Sequence, residues 1–183
     1  MAQPFFTIGH STRPLDEFIA LLNMAEVKAL ADVRTIPRSR TNPQFNADTL
    51  PGALEPIAYS HIAALGGLRG HRRDAPPSPN DFWDNKSFRN YADYADTDAF
   101  HAGLEQLREI GREQRCAIMC AEAVWWRGHR RIIADYLLAA GETVFHILGQ
   151  GRIEPAKLTP AARRTAQGTL VYPRPDEPVI AAN

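Results

Sequence analysis

Apolar positions along the chain fall into two alternating rhythms. Short apolar runs bounded by turn residues, "PFFTIGHS", "VKALADVRTIP", "IAYSHIAAL", "RCAIMCAE" and "ETVFHILG", have the length and content of buried strands. Between them apolar residues recur at helical spacing: Leu15, Phe18, Ile19 and Leu22; Phe100, Leu104, Leu107 and Ile110; Ile132, Ile133, Tyr136 and Leu137. Ser11 or Thr12 is expected to cap the first of these helices, with Pro14 in its first turn, and Gly141 to stop the last. Further helices are expected around "ADTLPGALEP" and from near Phe88. Strands alternating with helices predict an α/β fold: a mainly parallel sheet of about five strands with helices on both faces. Residues 66–87 form the longest irregular stretch, and the tail 150–183 is weakly patterned, with "TLVY" its candidate strand. No repeat or linker divides residues 1–183, so a single domain is expected.

Composition narrows the partners. Lys plus Arg and Asp plus Glu both number 21, and zero net charge argues against a nonspecific nucleic-acid binder; any such contact needs a local patch. No apolar run approaches the roughly 20 residues that span a bilayer, so no membrane partner is expected. "MAQPFFTIGHS" carries no basic n-region, and no secretory leader is expected. Cys116 and Cys120 lie on one predicted strand, with Cα atoms about 13 Å apart. A disulfide needs roughly 7 Å or less, so free thiols and a cytoplasmic location are expected.

Ligands of parallel sheets bind beyond the carboxyl ends of the strands. His10, Arg34, Cys120 and Glu122 all fall at or just past predicted strand ends, and the stretch 116–131, "CAIMCAEAVWWRGHRR", adds His129 and Arg130 where a helix begins. Helix starts favour anions, and Arg34, Arg38 and Arg40 follow the second strand while Arg69, Arg72 and Arg73 follow the third. Arginine forks match phosphate oxygens. Glu122 and His129, with His10, are candidate proton carriers. Cys120, near His129 and helix N–H groups, is a candidate nucleophile whose pKa that setting is expected to lower, although its spacing to Arg127 and Arg130 does not match a phosphatase loop. Trp125 and Trp126 could stack on a base. Against each stands a plainer role: Arg34 paired with Asp32, Glu122 paired with Arg130 or His129, Cys120 and the tryptophans as packing. Cys120, Glu122, His129 and His10 are acceptable zinc ligands, but neither CxxC nor HExxH spacing occurs, and "GGLRG" matches neither glycine fingerprint. Neither a metal nor a cofactor is expected.

Taken together, "TIGHSTRPLDEFIALL", "LADVRTIPRSR" with "NPQFN", "YSHIAALGG" and "MCAEAVWWRGHRRIIADYL" resemble, in order, the bacterial and archaeal family termed domain of unknown function 488. The resemblance implies a compact α/β domain with signature residues at His10, Ser11, Asp32, Arg34, Pro37, Cys120, Glu122, His129 and Arg130, and implies no particular reaction. Members commonly carry a cysteine directly before the His-Arg pair, where this chain has Gly128. That departure moves the expected chemistry onto Cys120, Glu122, His129 and Arg130.

Three readings follow. The first is a site for a small phosphorylated or nucleotide-like anion, bound by Arg34 and Arg130 with Ser11, Asp32, Arg38 and Trp125, and open to acid–base or nucleophilic chemistry. The second is a non-catalytic nucleic-acid module built on Arg38, Arg40, Arg69, Arg72 and Arg73 with Trp83, Phe88, Tyr91 and Tyr94. The third is a structural or partner-binding domain in which Glu122, His129 and Arg130 satisfy one another with no open pocket beside them.

Overall fold

Each central strand is apolar on both faces, so it needs cover on both. A computed structural model, which describes residues 2–70 and 76–175, shows how this is met. Strands β1 (Phe5–Gly9), β2 (Ala29–Asp32), β3 (Ala58–His61), β4 (Cys116–Cys120) and β5 (Val144–Ile147) are all parallel, in the order β3-β2-β4-β1-β5. Phe5, Ala29, Ala31, Cys116 and Ile118 point to one side, where α4 (Asp98–Glu113) and α5 (Arg130–Ala139) pack with Leu107, Ile132 and Ile133. Phe6, Ile8, Leu30, Ala117 and Met119 point to the other, under Phe18 and Leu22 of α1 (Leu15–Met24) and Leu50 and Leu54 of α2 (Leu50–Leu54). The alternation is the two-residue period of a strand.

The expected count of about five strands falls short by one. β6 (Ile153–Pro155) pairs antiparallel with β5, Ile147 opposite Ile153, and closes that edge. Three residues ending in proline carry no periodic signal. "TLVY" does contribute a strand, β8 (Leu170–Val171), which pairs with β7 (Arg163–Arg164) in a separate hairpin. α3 (Lys86–Tyr94) supplies the helix expected near Phe88.

The chain leaves β1 over α1 towards β2 and leaves β4 over α5 towards β5, in opposite directions across the sheet. Right-handed crossovers that diverge this way lie on opposite faces and open a crevice between the carboxyl ends of β1 and β4. The first turn there departs from expectation. Neither Ser11 nor Thr12 caps α1; Pro14 holds that position with no side-chain cap. The chain past Gly9 instead continues along β4, His10 N–H donating to Cys120 O at 2.9 Å and Ser11 N–H to Ala121 O at 3.1 Å, and Ser11 then takes a left-handed φ of 49°. Gly9 allows that approach, since a Cβ there would lie 1.8 Å from Glu122 O. Gly141 does stop α5, with φ of 90°.

The tail straps α5 down. Buried Asp135 accepts from Thr159 N–H and from the Tyr172 hydroxyl, both at 2.9 Å, and Tyr172 N–H donates to Asn80 Oδ1 at 2.9 Å.

Gly111 of α4 presses on the Phe5 ring: a Cβ there would stand 2.2 Å from Phe5 Cζ. Helix propensity favours Gly111→Ala by about 1 kcal/mol, but overpacking a full core costs about 1–3 kcal/mol. Urea unfolding should therefore show a net loss of stability; a gain would mean that Phe5 has room to yield.

Candidate functional site

The carboxyl end of β2 carries a buried ion pair. Asp32 and Arg34 lie two residues apart and so share one side of the chain. Arg34 Nε donates to Asp32 Oδ1 at 2.9 Å and Nη2 to Oδ2 at 2.7 Å, with a further bond from Nη2 to Phe45 O at 2.7 Å. The Tyr59 hydroxyl also donates to Asp32 Oδ2, and burial together with that carboxylate pushes its pKa up. Arg34 Nη1 stands 3.4 Å from His10 Nε2. His10 Nδ1 lies 2.8 Å from Ser11 O, so the proton belongs on Nδ1 and the Nε2 lone pair faces the guanidinium. Desolvation, then Arg34, hold the His10 pKa down, and the ring stacks on Phe45 at 4.5 Å between centroids. Asp32 thus has Arg34 and Tyr59 as its side-chain partners.

In front of this pair lies a cleft of about 640 Å³ whose lining includes Arg34, Arg38, Cys120, Glu122, Arg127 and His129. His129, the N-cap of α5, reaches back across the cleft floor to β2: its Nε2 lies 2.8 Å from Val33 O and so carries the proton, leaving the Nδ1 lone pair free. Desolvation, then the Arg130 charge, push its pKa down to about 4. Gly67 is needed beside it, since a Cβ there would lie 2.5 Å from His129 Nδ1. The far wall is Leu68, anchored by its N–H to Thr35 Oγ1 at 2.9 Å, and Phe88, stacked on Trp83 at 4.7 Å. Thr35, Gly67, Leu68, Phe88 and Arg127 were not singled out from sequence as parts of this site. The "GG" directly after the third strand was the one available signal, a place where backbones approach closely.

Several expectations change at the 120–130 turn. Glu122 is exposed and makes no ion pair with Arg130 or His129 among the described residues, so the internal network of the third reading does not form. Cys120 is only 2% exposed and its thiol lies 3.8 Å from Glu122 O. Burial pushes its pKa up, against the lowering expected; Arg130 opposes the shift without reversing it. Arg130 does not line the cleft. It is fully buried behind the loop, Nη2 donating to Ala123 O at 3.3 Å. Trp125 lies flat on His146, centroids 4.4 Å apart, and only Trp126 is exposed. Ser11 uses its carbonyl on His10. The structure therefore gathers Arg34, Arg38, Cys120, Glu122 and His129 around one cleft, sets His10 behind Arg34, and places Asp32, Arg130 and Trp125 in supporting layers.

The basic loop is also partly committed. Arg69 donates to Gly66 O and Ala63 O and covers the Tyr94 ring at 3.8 Å. Arg72, Arg73 and Asp74 lie outside the described residues. Tyr91 and Trp83 are buried, not displayed. Among the described residues no group of three His, Cys, Asp or Glu is placed to hold a metal ion.

Two measurements check this electrostatic arrangement. Asp32→Asn leaves the Arg34 charge without its partner and should cost about 3–5 kcal/mol in chemical unfolding; adding Arg34→Gln should recover part of that loss, as expected for coupled groups. His129 titrates near 4 when folded and near 6.5 when unfolded, so the unfolded chain takes the proton first and stability falls as pH drops from about 6.5 to 4. His129→Gln should reduce the slope of the melting temperature across that window, the rest coming from His10 and His146, and an unchanged slope would exclude His129 as a source.

The family profile described as "Domain of unknown function DUF488" matches residues 14–137, more than half of the chain, and the chain belongs to that family. No curated protein and no solved structure matches it.

Proposed function

For this member of the family, we propose that the cleft binds a small phosphorylated, nucleotide-like anion, with Glu122 and His129 moving protons on it. One observation carries the reading: Arg34, Arg38 and Arg127 converge on one cleft whose lining holds a single carboxylate, Glu122. With His129 neutral at pH 7, the walls carry a net positive charge. Arginine forks bind phosphate oxygens two at a time. The volume, about 640 Å³, falls in the range of small-molecule sites. Ile36, Leu68 and Phe88 line the same cleft and offer apolar contact for a flat base.

The chemistry follows from protonation. The His129 Nδ1 lone pair can take a proton from a substrate hydroxyl or a water while its Nε2–H stays on Val33 O. The imidazolium so formed can return that proton to a leaving group, and the exposed Glu122 carboxylate can accept one from a second hydroxyl or water. The Cys120 thiol, buried and protonated, lines the floor and comes second to them as a reacting group. Arg34 keeps its charge because Asp32 holds it. The nucleic-acid-module reading draws less support, because Arg69 is committed to its own loop and the Trp83–Tyr91 rings are buried.

A thermal-shift series with nucleoside mono- and diphosphates tests the reading. A ligand at 100 times its dissociation constant should stabilise the parent by about 2.7 kcal/mol. Arg38→Ala with Arg127→Ala should weaken the response at least tenfold, while Glu122→Gln and His129→Gln should keep binding and lose turnover. Equal shifts in the parent and the double arginine variant would sink it.

A further inference from the structure

Arg130 is the largest fully buried side chain and makes one hydrogen bond, to Ala123 O. Its Nε and Nη1 are buried with no partner among the described residues. Trp125 Nε1, in the same turn, is likewise buried and without a partner. All three are donor atoms, so what would complete them is an acceptor. Arg130 opens α5, a ten-residue helix whose N-terminal end adds its own positive potential, and Trp125, five residues earlier, lies on His146, which the Arg130 charge also reaches.

Charge separates the candidate acceptors. Arginine keeps its proton in proteins, and buried charges are paired. Among the described residues no carboxylate lies within ion-pairing distance of Arg130. Glu122 is turned to solvent, and the Cys120 thiol keeps its proton and faces Glu122 O. His146, under the Trp125 ring and 2.6 Å from Thr7 Oγ1, is held neutral, its pKa pushed down to about 3 by burial and by the Arg130 charge. Arg13, whose charge also reaches Arg130, has Glu17 at 3.9 Å, so among the described residues one positive charge is left with nothing to balance it. A water could take the hydrogen bonds but not the charge. A divalent phosphate would overbalance it, and Arg130, at 0% exposure, leaves no mouth for a larger group.

The geometry points to an interior site, separate from the open cleft, in which Arg130 and Trp125 hold one small monovalent inorganic anion of chloride size. This site does not depend on the reading of the cleft, which Arg130 does not line.

The test uses the whole chain, dialysed against sodium gluconate, whose anion is too large for the interior. Gluconate is then replaced by chloride, nitrate or iodide at constant ionic strength. The melting temperature should rise saturably by about 2–4 °C, the shift that 1 kcal/mol produces in a chain of this size. Iodide should quench Trp125 fluorescence saturably, while exposed Trp126 is quenched linearly. Arg130→Gln should lose both responses. Should that variant fail to fold, Trp125→Phe serves: it should need at least fivefold more anion for the same thermal shift. Arg38→Ala with Arg127→Ala, which disables the cleft, should leave both responses intact, so the two sites fail independently. A melting temperature that is the same in every salt would mean that water alone fills the place and would overturn the site, as would a Trp125→Phe variant that responds like the parent.

Discussion

Asp32 and Arg34 neutralise each other at the end of β2, and three other segments meet that pair. Tyr59 brings β3 to it, Phe45 brings the 37–49 loop, His10 brings the end of β1, and the backbone N–H of Arg34 itself bonds to Asp32. Both residues are buried. Neither could remain so alone, because an isolated charge in a protein interior is far costlier than a paired one. The rim of the sheet is therefore built around a cation that its own carboxylate holds in place.

This ordering sorts the arginines of the turn into three kinds. Arg34 is charged but internally balanced. Arg38 and Arg127 are exposed and line the cleft, with no ion pair among the described residues. Arg130 is charged, enclosed and unbalanced. Three histidines nearby, His10, His129 and His146, all have their pKa values pushed down, mainly by burial. They add hydrogen-bonding capacity without adding positive charge, so the local field comes from arginines alone. Burial also keeps the Cys120 thiol protonated, and the nearby guanidinium is not enough to ionise it.

Glycines decide how closely these parts approach. Gly9 admits the Glu122 carbonyl and Gly67 admits the His129 ring. A Cβ at Gly128 would lie 3.6 Å from Cys120 Sγ and 3.2 Å from Glu122 Cβ, so any larger residue there would press on the thiol and on Glu122.

Much of the fold was legible in the chain because strand and helix periods are local properties. The apolar runs ending at His10, Asp32 and Cys120 mark the rim where the polar residues gather, and the i, i+2 spacing of Asp32 and Arg34 already puts them on one side. The short β6 and the left-handed Ser11 were not legible, since one is fixed by the exposed edge of β5 and the other by the continuation of β1 along β4. Which arginine faces solvent and which is enclosed was not legible either. Only the strand order, with β4 inserted between β2 and β1, carries His129 to Val33 and closes the 121–129 loop over Arg130. Charge balance depends on neighbours that are distant in sequence, and no local pattern records them.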